Sequence, residues 1–469
     1  MSSSTATPGL LTSGWVKNSI VMLVVIAVCW GGAIWYWRAA PSAPTSNDLA
    51  AGLLALPFGV LLLLWLGKKA ALSGNTPVAT KAVAPLSSQA EPPIQSLPPY
   101  AILTTALRLP HGSSTEELAT VIGKNKAQPD VVTELLDDQG IHLMCNCRDD
   151  AVDDVLLDEI SAWQAQTGMA DPHFNQAQWR ALSLGTAVMR DLSWNANTKL
   201  IDADGSTPQL HLLPVLPSEW SAEQRSTAGK WFEHIVLSAG WPLKNFSCMD
   251  ILAESSSAAL PKLLDQFAAG AASANETLAA IVIACDSNID QEIVDQWAEK
   301  ATLFTPLQPD GFVPGEGAAG MLLIGQRQAQ FIEGGVYSLA DSVQEAPRDA
   351  SVRKGVPSKF PHDVARRALE CSGISLADIG MIVGDASQRD HCMTELMGFA
   401  AEATPQLDTT VDVASVGPGC GHCNAVPFIA ALALSHHYTL ERGKPVLYIS
   451  NDDFESYRAV VVRPVAVIS

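Results

Sequence analysis

Residues 278–285 read LAAIVIAC, an unbroken apolar run. A helix or strand with one face in water shows polar residues at a period of 3.6 or 2. A short run that is apolar at every position reads instead as a strand buried on both faces. Such a strand needs a covering layer on each side, and the surrounding pattern supplies them. Residues 101–109 read as a strand. Residues 113–122 read as a helix opened by Ser and Thr, with Glu116 and Glu117 in its first turn. An amphipathic helix is expected at 255–270, a helix at 364–372, a short buried strand at 379–383, a helix at 427–436, and strands at 446–450 and 459–464. This alternation predicts an α/β fold with helices layered over sheets.

Two further apolar runs lie near the N-terminus and have a different meaning. Residues 20–37 and 49–66 are uncharged and about 18 residues long, close to the roughly 20 residues that span a bilayer core. Trp30, Trp35, Tyr36 and Trp37 cluster toward the end of the first, and Trp65 closes the second, as aromatic rings do at a membrane interface. The first run is longer than a signal-peptide core and no small-residue cleavage site follows it. The expectation is a two-helix transmembrane hairpin over residues 1–69. Lys17, Lys68 and Lys69 flank it, which puts both ends on the cytoplasmic side of a bacterial inner membrane. Residues 70–99, rich in Ala, Pro, Ser and Thr, read as a tether. The soluble body follows, with halves expected at 100–335 and 336–469.

The chain of 469 residues has a net charge of −20, and the acidity sits almost wholly in the body. A surface of that sign repels nucleic acid and anionic headgroups. The nine cysteines, an odd number scattered through apolar stretches, argue against a secreted disulfide framework and for a reducing compartment.

Several segments resemble β-ketoacyl synthases, in that family's own order. Residues 101–124 resemble the opening strand, turn and helix, and 253–264 (AESSSAALPKLL) the nucleophile elbow and its helix. Residues 310–323 (DGFVPGEGAAGMLL) are similar to the family's DGF-x-x-GEGA-G. Residues 366–387 resemble the approach to the first catalytic histidine, 415–434 the second-histidine loop, and 450–462 the closing loop and last strand. The resemblance implies a thiolase-like five-layer α-β-α-β-α body.

It does not carry the family's chemistry. The resemblance implies a cysteine at the start of a buried helix, where the helix N-terminus lowers its pKa, and two histidines that stabilise the developing enolate. Aligned on these segments, the nucleophile falls on Glu254, the first histidine on Asp385 and the second on Pro418. Ser255 could attack only with a base beside it. His391 is six residues too late, and placing His422 in register requires a gap in the turn. The closing loop carries Asp453, Phe454, Glu455, Ser456 and Tyr457 where the family has glycines, so bulky acidic groups should close that space. No catalytic residue, cofactor or metal is therefore expected.

Cys420-Gly-His-Cys423 also resembles a disulfide-isomerase site, but the 46 residues after it lack the rest of a thioredoxin fold. Zinc shared with Cys145 and Cys147 would need an unusual C-x-C pair. The simplest reading is small residues packing a tight turn. His436 and His437 read as the end of the following helix, and Asp286 and Asp290 as solvated turn residues. Membrane-anchored proteins with degenerate thiolase-like bodies resemble the adaptors of type VI secretion lipase effectors. That resemblance implies a pseudoenzyme that binds a protein client, here a lipase effector. The alternative is a non-condensing or variant β-ketoacyl synthase-like subunit of fatty-acid or polyketide metabolism. In either role a homodimer or heterodimer is expected.

Overall fold

The computed structural model describes residues 97–469 apart from 170–171, 202–206, 250–255, 275–276, 333–335, 349–359, 454 and 466–469, together with Trp30. The expected transmembrane runs at 20–37 and 49–66 lie outside these residues, Trp30 aside. Among the described residues no helix is long and apolar enough to cross a membrane. Pro92–Ser469 is a compact unit by itself.

The strands are β1 (Tyr100–Arg108), β2 (Asp130–Leu136), β3 (His142–Cys145), β4 (Gln209–Val215), β5 (Phe246–Cys248), β6 (Leu278–Ser287), β7 (Glu316–Gly325), β8 (Ser338–Ala340), β9 (Gln344–Pro347), β10 (Met381–Gly384), β11 (Val413–Ser415), β12 (Val446–Ser450) and β13 (Ser456–Pro464). The longer helices are α1 (Thr115–Gly123), α2 (Asp154–Thr167), α3 (Gln176–Leu200), α4 (Ala222–Ser238), α5 (Ser256–Ser273), α6 (Gln291–Glu299), α7 (Phe360–Ser372), α8 (Asp390–Ala403) and α9 (Val426–Arg442).

The chain repeats one topology. Its main hydrogen-bonded order is β11-β10-β12-β13-β8-β1-β7-β6-β4-β5. In the first half β4 runs parallel to β5 and β6, while β6–β7 and β7–β1 are antiparallel. In the second, β10 runs parallel to β11 and β12, while β12–β13 and β13–β8 are antiparallel. The halves are joined where β8 pairs with Tyr100, Ala101 and Ile102 of β1.

The period-2 alternation of each strand sorts its side chains into layers. From β6, Ala279, Ile281 and Ile283 pack with Leu182, Val188 and Leu192 of α3 and with Trp231 and Phe232 of α4. Ala280, Val282 and Ala284 face the other way, toward Leu260, Leu264 and Phe267 of α5 and Ile429 and Leu432 of α9. From β12, Val446 and Tyr448 join that same central cluster, while Leu447 and Ile449 pack with Ala365 and Leu369 of α7 and Leu396 and Phe399 of α8. The sequence of layers is therefore helices, sheet, helices, sheet, helices. The run at 278–285 is buried at every position because it lies inside such a stack. Each buried Leu or Ile contributes roughly 1.5–3 kcal/mol by leaving water.

Helix α9 is an inner helix that follows the loop at 416–425. Pro427 in its first turn lacks an N–H that would have no helical partner there. Gly443, at φ 63°, ends it in the left-handed conformation. It runs six residues past His436, so the two histidines do not cap it. His436 is buried with Nδ1 2.8 Å from the Ser338 hydroxyl, and His437 faces Glu441 across one turn. Trp220, Trp231 and Trp241, whose spacing settles nothing in the sequence, are all core residues.

Candidate functional site

The loops that follow β10, β11 and β12 converge just ahead of α9. Strand β10 ends at Gly384, and Asp385 comes next. Its carboxylate accepts a hydrogen bond from the Tyr448 hydroxyl (2.9 Å) and one from the Asn451 backbone N–H (3.0 Å). Burial pushes its pKa up to about 6, with nearby Asp452 pushing the same way and these hydrogen bonds opposing. Asp385 thus ties β10 to the end of β12.

The closing loop after β12 is held by three arginines. Asp452 pairs with Arg389 at 2.7 Å, and Arg389 also donates to the Asp452 carbonyl and to the Ser387 hydroxyl (3.0 Å). Ser387 N–H donates to the Asp452 carboxylate at 3.1 Å. Burial works against charge on Asp452, but Arg389 and Ser387 outweigh it and hold the carboxylate below its ordinary pKa. Asp453 accepts from Arg458 at 2.9 Å. Arg348 donates to the Asp453 and Asn451 carbonyls, pairs with Glu395 at 2.7 Å, and lies over the Tyr457 ring at 4.4 Å. Of the acidic residues expected to close this space, Asp453 turns inward onto a guanidinium group, whereas Glu455 is exposed. Bidentate and planar contacts of this kind favour arginine over lysine.

Pro418 lies in a short helical turn, Gly417–Cys420. Gly417 packs on the Asp385 and Ala386 carbonyls so closely that a Cβ would lie 2.3 Å from the Ala386 oxygen. His422 follows that turn, four residues ahead of the start of α9. Its ring stacks on Phe312 with centroids 4.0 Å apart and meets Trp297 edge-on at 5.5 Å. Its N–H donates to the Val313 carbonyl, and its carbonyl accepts from Asn288. Burial lowers its pKa; Asp452 opposes this and Arg389 adds to it. Phe312 also takes the Arg389 guanidinium 5.5 Å from its ring centre. The DGF-x-x-GEGA segment thus supplies the aromatic floor on which Arg389 and His422 both rest.

Gly315 of that segment and Gly421 meet backbone to backbone. A Cβ on Gly315 would fall 2.0 Å from the Cys420 carbonyl oxygen, and Gly421 sits at φ 66°. Nearby, Glu316 is fully buried and chelated by Arg180 at 2.6 and 2.7 Å. Asp286 is buried as well, not solvated: its carboxylate accepts from Asn424 (2.8 Å) and the Ser287 N–H, and burial pushes its pKa up to about 7. Asp290 caps α6.

The thiols in this region are all held protonated. Cys420 is buried and pushed up to about 12, and buried Cys423 stands well above its usual value. Cys423 donates weakly to the Cys420 carbonyl. Cys392, in the first turn of α8, lies 3.4 Å from His391 Nε2, whose Nδ1 is 3.5 Å from Asp310. This resembles a nucleophile–base–carboxylate chain, but the thiol is fully buried and burial raises its pKa to about 12. Such thiols behave as packing groups. Among the described residues no cluster of three or more His, Cys, Asp or Glu could hold a metal.

Ketosynthases are among the solved structures that share this arrangement of layers. The ketosynthase from module 6 of the bacillaene synthase of Bacillus subtilis 168 superposes with a TM-score of 0.55 at 16% identity, covering 78% of this chain and 72% of that one. The oxazolomycin ketosynthase domain of Streptomyces albus JA3453 gives 0.52 at 14% identity, covering 79% and 76%.

The body has a ketosynthase fold.

The module 1 ketosynthase of the bacillaene synthase of Bacillus amyloliquefaciens FZB42 gives 0.52 at 12% identity, covering 79% and 74%. No family model and no curated protein sequence matches the chain. Within this ketosynthase fold, Asp385 and Pro418 come from adjoining loops that touch through Gly417, and Glu254 lies outside the described residues. The arginine clasp is not among the features the sequence predicts. Its trace in the sequence is no more than three arginines about an Asn-Asp-Asp loop, Arg348 and Arg389 ahead of it and Arg458 five residues after Asp453.

Proposed function

We propose that the chain is a non-condensing, ketosynthase-like subunit that acts by binding a protein partner. The observation that carries this reading is the Arg389–Asp452 pair at the junction of the first-histidine and closing loops. Condensation requires a reachable nucleophile and neutral imidazoles around the reacting carbonyl. A guanidinium fixed on a carboxylate offers no nucleophile, and it exchanges no proton near neutral pH. Asp385 is engaged with Tyr448 and Asn451, which leaves it a structural task. The ketosynthases with which the fold compares favour fatty-acid or polyketide metabolism as the setting. Loading of a type VI secretion lipase effector is the narrower role, and no residue of the fold speaks for it. On the two uncharged runs and their flanking lysines, we place the body on the cytoplasmic side of a bacterial inner membrane, as one member of a homodimer or heterodimer.

The test is to incubate the purified full-length chain with malonyl-loaded carrier protein and follow CO2 release and intact mass. We expect neither decarboxylation nor an acyl adduct. Either activity, if abolished by Glu254→Ala, would overturn the reading. Affinity capture from membranes should recover a stable protein partner. An acyl-pathway enzyme supports the metabolic setting, and a lipase effector would move the protein to the adaptor role.

A further inference from the structure

A groove of about 770 Å³ opens between the β1–α1 connection and the β2–β3 hairpin. Its walls carry five acidic residues, Glu117, Asp130, Glu134, Asp149 and Asp150, and Arg148 is the only Lys or Arg lining it. Arg148 is already neutralised. It holds Asp150 through two contacts of 2.7 Å and donates to the Leu109 carbonyl. Glu117 accepts from the Ser113 N–H at the start of α1. Asp130, Glu134 and Asp149 are exposed, and among the described residues no cation pairs with them.

The same hairpin presents apolar side chains to solvent. Its inner face, with Leu135, Leu143 and Cys145, packs on Ile289, Val294 and Leu303. On its outer face Val131, which lines the groove, stands opposite Met144 in the strand register. They are 64% and 41% exposed. Ile141 and Leu136, near the turn, are also exposed. A strand pair of this length normally turns polar residues outward. Apolar side chains rimmed by charge of one sign mark an interaction surface.

We infer that this groove and hairpin face dock a cationic polypeptide segment of a partner, one that sets Lys or Arg side chains against Asp130, Glu134 and Asp149 and an apolar side chain against Val131 and Met144. Charge complementarity decides the occupant. Unpaired carboxylates lining a groove raise the local concentration of cations and repel acidic chains. The apolar pair adds the desolvated contact that gives such interfaces their lifetime. The inference deepens the reading of the chain as a partner-binding protein and rests on it.

The test uses full-length chain in detergent and three labelled peptides of equal length, built from Lys and Leu, Glu and Leu, or Lys and Ser. The Lys–Leu peptide should bind, and more weakly as salt rises. The Glu–Leu peptide should not bind, and the Lys–Ser peptide should bind less well. Combined Asp130→Lys, Glu134→Lys and Asp149→Lys should weaken binding by about tenfold or more, and Met144→Ser should weaken it several-fold without changing net charge. Glu370→Lys with Glu402→Lys, on α7 and α8, controls for overall charge. Equal loss in that control, equal binding of the Glu–Leu peptide, or unchanged binding in both groove variants would overturn the proposal. Carrier-protein assays on the same preparations are independent: acyl transfer with selective Lys–Leu binding would sink the non-condensing reading and leave the groove standing.

Discussion

Arg389 and Asp452 lie 63 residues apart in sequence and 2.7 Å apart in space, with only 1% of the Arg389 side chain exposed. Removing one member strands a charge that the interior cannot solvate. Arg389→Met is therefore expected to cost about 3 kcal/mol, because Asp452 loses its counter-ion. Arg389→Met combined with Asp452→Leu should recover part of that loss. A double-mutant cycle from urea melts checks it, and additive losses would show that the pair is not coupled.

Asp385 makes stability depend on pH. Its folded pKa, about 6, lies above the ordinary carboxylate value. The folded state thus binds its proton more tightly than the unfolded chain does. Its contribution is fully present below about pH 4 and is lost as pH rises to about 6. Asp385→Asn keeps an acceptor for Asn451 and removes the titration. The melting temperature of this variant relative to wild type should climb between pH 4 and 6 and then level off. A flat difference would contradict the assignment.

The contact of Gly315 with Gly421 leaves no room for a side chain. Gly421→Ala would hold alanine at φ 66° with its Cβ 2.8 Å from the Gly315 Cα. A loss of roughly 2 kcal/mol or more is expected in chemical denaturation. Gly315→Ala should be worse, since the new atom meets a backbone carbonyl. Wild-type stability in either variant would mean that the two loops are not packed as described.

Cys420 and Cys423 should resist maleimide in the folded protein and label only on denaturation, since both thiols are buried and protonated. The partly exposed Cys147, Cys248 and Cys371 should react first. Rapid native labelling at Cys420 or Cys423, read by peptide mass mapping, would revive the redox interpretation.

The hairpin expected from residues 20–37 and 49–66 is tested by alkaline extraction. The full chain should stay with the membrane pellet, and a chain beginning at Pro92 should appear in the supernatant. Release of the full chain by alkali would remove the anchor.

Much of the fold was legible because burial on both faces leaves an unmistakable mark. The runs at 278–285 and 446–450 are strands, and the DGF-x-x-GEGA segment does lead into one. What escaped depends on side chains that meet only after folding. Nothing local in Arg348 or Arg458 announces Asp453. Asp286 looks like any turn aspartate until Asn424, 138 residues later, reaches it. The β2–β3 hairpin carries one clear local mark, its turn residues Asp-Asp-Gln-Gly with Gly140 at φ 75°. Its valines and leucines lack a clean alternation because the outer face is itself partly apolar. Helix α9 continues six residues beyond the expected end at residue 436, because His436 is enclosed by the core and does not cap the helix.

Strand β8 is three residues long, yet it pairs with β1 on one side and β13 on the other. The repeated halves meet there along three residue pairs of β1, and they are joined again where His422 N–H donates to the Val313 carbonyl and Asn424 donates to Asp286. Thermal melting of the body should accordingly follow one sigmoid. A proline placed at Leu339 should lower the midpoint of that one transition without splitting it, because the shared core of α5 and α9 still holds both halves.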